Sequence, residues 1–248
     1  MPQLPTALKR EPLIDAIFEV RLNARASLAE ILPGALFSGS SDKPTITRLP
    51  AADFPQPLRA QDPNLKFAPL VKIEFANYTV SVSDQSYVVG CKLPYPKWPA
   101  FKQILINVTK RISESGIPGE IERFSLKYVN LIEAASLKEQ LSKIQLDIKL
   151  GLATIDDHVM QLRAELHEDG LLHIISIASG AVANFEHGRE AAGIVVDVDS
   201  IKNAKFASFS AFDAELSEEI EQLRQSNKRH FFDCLTPGAI EEMGPIYE

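Results

Sequence analysis

The amino-acid sequence predicts an α+β fold: antiparallel sheets, each covered on one face by a long amphipathic helix, in two sequential subdomains spanning residues 1–133 and 134–248. Three observations carry this expectation. The block Tyr95 to Glu133 holds an amphipathic helix, a Gly/Pro turn and an alternating strand in succession. Short strand signals recur beside two-residue turns at Ala76-Asn77, Asp84-Gln85 and Asp169-Gly170. A second long amphipathic helix runs from Phe212 to Leu235. The two subdomains are expected to meet near Glu133 to Ile144, and the alternative topology is a single mixed sheet shared by both halves.

In chain order, Leu13 to Leu22 reads as a half-buried strand, because Ile14, Ala16, Phe18 and Val20 share one parity while Asp15, Glu19 and Arg21 share the other. A short helix follows over Ser27 to Phe37, with Ser27 as N-cap and Glu30 as its capping-box partner, although it contains Pro33. Residues Ser38 to Pro69, rich in Ser, Pro, Asp and Ala, read as a long flexible loop with a brief extended piece at Thr45 to Leu49. An antiparallel meander is expected at Leu70 to Phe75, Tyr78 to Ser83 and Ser86 to Cys91.

The next helix places Phe101, Ile104, Leu105, Val108 and Ile112 on one stripe, and Gly116, Pro118 and Gly119 end it. Ile121 to Glu133 alternates at first, then turns apolar on both faces apart from Asn130, as a strand in the middle of a sheet does. Strands are expected at Gln145 to Gly151, Val159 to His167, Leu172 to Ser179 and Gly193 to Asp199. In the helix Phe212 to Leu235, Leu216, Ile220, Leu223 and Phe231 share a face, acidic residues lead and basic residues follow, which complements the helix dipole. Thr236-Pro237 then opens a final short helix closed by Gly244.

Composition narrows the function classes. A 248-residue chain with 45% hydrophobic and 24% charged residues can bury a sizeable core, and its net charge of −7 offers little general attraction to phosphate backbones. Nucleic acid is therefore not the expected partner. Apolar runs are too short to span a bilayer and MPQLPTALKREP lacks a secretory signal, so a cytoplasmic setting without membrane contact is expected. Cys91 and Cys234 stand far apart, outside any CxxC spacing, and read as free thiols.

Four places resemble a sporadically distributed, uncharacterised bacterial family, known by number rather than by activity. They are Pro12 to Arg21, Tyr95 to Trp98 with Phe101, Arg123 to Ile132, and Phe231 to Gly244. The strand ending in Asp197-Val-Asp199 is similar too. The resemblance covers nearly the full length and implies a cytoplasmic setting, without an activity. It also implies glycine before Trp98, where this chain has Lys97.

No HExxH, CxxC, GxSxG or Walker-type loop is present, so no catalytic residue is assigned. Asp197 and Asp199 lie two apart on a strand, where their carboxylates share a face and could hold a divalent cation. Asp156, Asp157 and His158 form the densest cluster of ligand-type residues, in a stretch that also reads as a solvated turn. His167 and His173 flank the Asp169-Gly170 turn, and a two-residue hairpin sends them to opposite faces. Arg123 and Lys127 share one face of their strand. With Arg21 on a neighbouring strand they would form a cationic strip for a phosphate or carboxylate, unless Asp15, Glu19 or Glu122 pairs with them.

The expectation is a non-enzymatic binding module for a protein partner or a small anionic ligand, engaged by the sheet faces or the Ser38 to Pro69 loop, with no cofactor. The rival is a metal-assisted phosphoester or nucleotide-processing enzyme using Asp197 and Asp199 and a divalent metal. An exposed sheet edge would also allow a homodimer.

Overall fold

The structure, a computed structural model, describes residues 3–38, 43–185 and 188–247. The first half runs β1 (Ala7–Leu8), β2 (Leu13–Ala24), α1 (Leu28–Ser38), β3 (Thr45–Arg48), a 3-10 turn at Pro50–Asp53 and α2 (Gln56–Gln61). It continues through β4 (Val71–Glu74), β5 (Tyr78–Val82), β6 (Ser86–Cys91), α3 (Trp98–Glu114) and β7 (Gly119–Glu133). The second half comprises α4 (Leu137–Ser142), β8 (Lys149–Leu150), β9 (Ala153–Thr154), β10 (Gln161–Glu168) and β11 (Leu171–Asn184). It ends with β12 (Glu190–Phe206), α5 (Phe209–Asp233), α6 (Pro237–Glu242) and β13 (Pro245–Ile246).

The chain is α+β, with one nine-stranded sheet in the order β10-β11-β12-β7-β2-β6-β5-β4-β3. That single sheet replaces the separate sheets expected of the two halves. Contacts divide the chain into two compact units, one of Met1–Ile14, Lys127–Ser200 and Arg224–Glu248, the other of Asp15–Leu126 and Ile201–Leu223. These are not the sequential blocks 1–133 and 134–248. β2, β7, β12 and α5 each begin in one unit and end in the other, so the division cuts through elements.

In the unit built from 15–126 and 201–223, the parity of β2 is as its sequence predicts: Ala16, Phe18, Val20 and Leu22 are buried. Strands β3 to β6 form the antiparallel meander, with Tyr78 opposite Cys91 and Val71 opposite Val82. Helix α3 buries Phe101, Leu105, Val108, Thr109 and Ile112, and ends where Gly116 adopts a φ of 69°. Phe124 packs against Phe18 and Phe212, with ring centroids 6.5 and 5.1 Å apart.

The other unit has its own core of Ile132, Ile144, Ile175, Ile177, Ile194, Val196, Val198, Phe231, Phe232 and Leu235. Its β10–β11 hairpin turns through Asp169 and Gly170 with φ of 50° and 76°, as a type I′ turn requires. Registration is as expected: Glu168 faces Leu171, His167 faces Leu172 and Leu166 faces His173. Thr236 caps α6 by accepting from the Ala239 amide, and Gly244 follows with φ 65°.

Several local expectations need correction. Residues 39–42 of the expected loop lie outside the described residues, but the rest is largely structured, carrying β3, the 3-10 turn and α2. The expected strand over Gln145 to Gly151 contracts to Lys149–Leu150, paired with Ala153–Thr154. The first amides of α1, Leu28 and Ala29, donate to the Asp84 and Ser83 carbonyls, so another segment satisfies donors that a helix start leaves open. α5 begins at Phe209, which moves Asp213 beyond its first turn and leaves that turn without acid.

Candidate functional site

The expected anion strip is chemically filled. β2 and β7 are neighbours in the sheet, as the strip requires. Yet Arg21 Nε lies 2.9 Å from Glu19 Oε2, and Arg123 Nη2 lies 3.9 Å from the same oxygen. Lys127 Nζ lies 2.6 Å from Asp197 Oδ2. The carboxylates occupy the cations: Glu19 meets Arg21 within β2 and Arg123 across strands, and Asp197 meets Lys127. Arg21 also lies over the Phe67 ring at 4.2 Å.

Asp197 and Asp199 do share a face of β12, opposite the buried Val196, Val198 and Ser200. Asp197 is committed to Lys127, however, and neither aspartate belongs to a group of three ligand-type side chains within 4.8 Å among the described residues. Asp156, Asp157 and His158 do form such a group, exposed to solvent, with His158 Nδ1 2.7 Å from Asp157 Oδ1. Trp98 donates from Nε1 to Glu221 Oε2 of α5 at 3.0 Å, and Lys102 Nζ reaches the same oxygen at 2.9 Å. The Cys91 and Cys234 thiols are free, and burial pushes each up to about 11.

A different cationic site sits beside the segment read as a loop. A cleft of about 240 Å³ is lined by Ala24, Arg25 and Ser27 at the β2–α1 junction, Gln56 and Ala60 of α2, Lys66, and Asp84 and Gln85 of the β5–β6 turn. Its frame is a buried ion pair. Arg59 donates from Nε to Asp84 Oδ2 at 2.8 Å and from Nη2 to Oδ1 at 3.1 Å, while its Nη1 donates to the Phe54 carbonyl. Both side chains are nearly enclosed, at 10% and 13% exposure. The bidentate fork suits a carboxylate geometrically and ties α2 to the β5–β6 turn.

Burial works to raise the Asp84 carboxyl, but hydrogen bonds from Arg59 and Ser27, with the Arg59 charge, hold it below the ordinary carboxylate range. Asp84 therefore stays ionised and its charge is cancelled by Arg59. The charges left to the cleft are Arg25 and Lys66, both exposed and joined by the amides of Gln56 and Gln85. The site is locally positive in a chain of net charge −7. Sequence reasoning missed Arg25 and Lys66 because the residues that unite them, Arg59 and Asp84, lie 25 positions apart.

The other unit carries a cleft of about 260 Å³ with mainly apolar lining from Leu141, Ile144, Leu146, Ile148, Met160 and Ile177. Among the described residues no helix is long and apolar enough to cross a membrane. No protein-family model matches the chain, and no curated protein matches it.

Proposed function

We propose that the chain is a binding module for a small anionic ligand bearing a phosphate or carboxylate group, held in the cleft between α2 and the β5–β6 turn. The observation that supports this reading is the combination of two exposed cations, Arg25 and Lys66, with a floor whose own acid, Asp84, is neutralised by Arg59. A neutralised floor removes the repulsion that a bare carboxylate would impose on an anion. The volume of about 240 Å³ falls below the usual range of drug-sized pockets, so the ligand class is small.

The magnitudes favour modest affinity. Two solvent-exposed charges contribute about 1 kcal/mol each at contact distance in water, rising toward about 4 where the local dielectric falls. Together with amide hydrogen bonds, that corresponds to a dissociation constant of about 1 mM for a bare ion. Larger ligands that also use the neighbouring polar backbone would bind more tightly. The same exposure makes binding sensitive to ionic strength.

Calorimetric titration with inorganic phosphate, succinate and a sugar monophosphate tests the reading and separates the two anion classes. Saturable binding of at least one probe, weakened by Arg25→Ala, supports it. Absence of binding by all three at 10-fold above about 1 mM would count against it. The metal-assisted enzyme reading draws no comparable support, since Lys127 already holds Asp197 at 2.6 Å.

A further inference from the structure

The β10–β11 hairpin and α5 bring together three side chains that their positions in the sequence do not connect. Glu168 ends β10, His173 follows across the turn on β11, and His230 lies in the last turn of α5. A nitrogen or oxygen from each lies within 4.8 Å of the others. The imidazoles of His173 and His230 have ring centroids 4.0 Å apart, and His230 Nε2 is 3.1 Å from Glu168 Oε2.

From this geometry we infer a divalent transition-metal site, of zinc type, with His173, His230 and Glu168 as the protein ligands. Two imidazoles and one carboxylate are a donor set that zinc accepts with a fourth position left open.

The surroundings already hold the ligands in ligand-like roles. His173 is fully buried, and its Nδ1 is 2.9 Å from Ser200 Oγ, which fixes the ring. Ser200 is itself held by the Asn227 amide at 3.0 Å, and that amide also donates to the Val198 carbonyl at 2.7 Å. Such outer hydrogen bonds are what orient a metal-binding histidine. The second nitrogen of His173, Nε2, faces Ser226 Oγ at 3.1 Å, a contact the ion would replace.

His230 supplies the independent observation. The residue is 9% exposed, and its buried Nε2 has no well-formed hydrogen bond although it points at Glu168. A buried polar nitrogen left in this state is costly unless a partner completes it. Burial first, and then the adjacent His230 and Arg229 charges, push the His173 imidazole down to about 4, and burial with Arg229 lowers His230 as well.

Two features shape the site further. Arg229 Nη2 lies 2.5 Å from Glu168 Oε2, the oxygen that also faces His230 Nε2 at 3.1 Å, which makes Arg229 an orienting neighbour of the carboxylate. Zinc–ligand distances of about 2.0 to 2.2 Å set tetrahedral donors roughly 3.4 Å apart, near the 3.1 Å between His230 Nε2 and Glu168 Oε2. Glu168 has freedom to adjust, with 41% of its side chain exposed at the hairpin end.

The test uses the full chain, stripped of metal by a chelator. Zinc is titrated in competition with a chromophoric chelator, and cobalt(II) is added as a spectroscopic probe. Wild type should bind one equivalent of zinc at micromolar concentration or below and give the d–d absorption of a low-coordinate cobalt centre. His230→Gln and Glu168→Gln should each weaken zinc by at least about tenfold, and His158→Ala, in the exposed Asp156-Asp157-His158 cluster, should leave it unchanged. Because Glu168 is at a partly exposed hairpin end, its variant serves even if the helix variant folds poorly. No binding by wild type at micromolar zinc overturns the proposal, as does binding that His158→Ala abolishes while Glu168→Gln leaves it intact.

Discussion

Arg59 grips Asp84 through two hydrogen bonds, at 2.8 and 3.1 Å, across 25 residues of chain. The pair sits where a helix from a Pro-rich connection meets a β-turn, and it turns a segment with loop composition into a wall of the cleft. Removing one partner leaves the other charge buried and alone. Arg59→Met or Asp84→Asn is accordingly expected to cost about 3–5 kcal/mol, measured by urea unfolding, with the double variant Arg59→Met/Asp84→Asn less destabilised than the sum of its parts. Additive losses would show that the two side chains act separately.

Lys97 adopts φ 73° and ψ 160° at the N-cap of α3. That region of backbone space is almost reserved for glycine and costs a side chain about 1–3 kcal/mol. Glycine also gains about 0.5–1 kcal/mol of unfolded-state entropy, which offsets part of the relief. Lys97→Gly should stabilise the protein by about 1 kcal/mol, raising the melting temperature by about 3 °C. A decrease would mean that the Lys97 side chain contributes more than its backbone strain removes.

Gly193 on β12 runs so close to β7 that an added Cβ would sit 2.3 Å from the Ile132 carbonyl oxygen. The obstacle is backbone, so no side-chain rotation relieves it. Gly193→Ala is expected to destabilise by about 3 kcal/mol. Wild-type stability in the alanine variant would contradict the close strand approach.

Acid should weaken the fold through His173. Its folded value is pushed down to about 4 from an unfolded value near 6.5, so the unfolded chain takes up a proton first as pH falls. The contribution is fully present above about pH 6.5 and is lost as pH drops toward 4, roughly 3 kcal/mol in all. His230, lowered as well, acts in the same direction. Urea midpoints measured from pH 7.5 to 4.5 should fall for wild type and flatten in His173→Gln; equal slopes for both proteins would remove His173 as the cause.

Local features were legible in the sequence because short-range physics governs them. The parity of Phe18 and Val20, the Asp169-Gly170 register that parts His167 from His173, and the Thr236-Pro237 helix start all depend on neighbours a few residues away. Glu19, one of the acids the β2 pattern offers to the cationic strip, meets Arg21 at 2.9 Å and Arg123 at 3.9 Å. The single sheet was not favoured, because strand order is decided by pairings between distant segments. His230 meeting His173, 57 positions earlier in the sequence, and Arg59 meeting Asp84 belong to that same class of contact.

The most direct measurement of the central claim is the phosphate dependence of thermal stability for wild type and for the charge-reversed pair Arg25→Glu/Lys66→Glu, at matched ionic strength. A ligand held only by the folded cleft stabilises it by about 2.7 kcal/mol at 100 times its dissociation constant. Wild type should show a saturable rise in melting temperature and the variant none, with both melting alike when phosphate is absent. An equal response in the two proteins would contradict it.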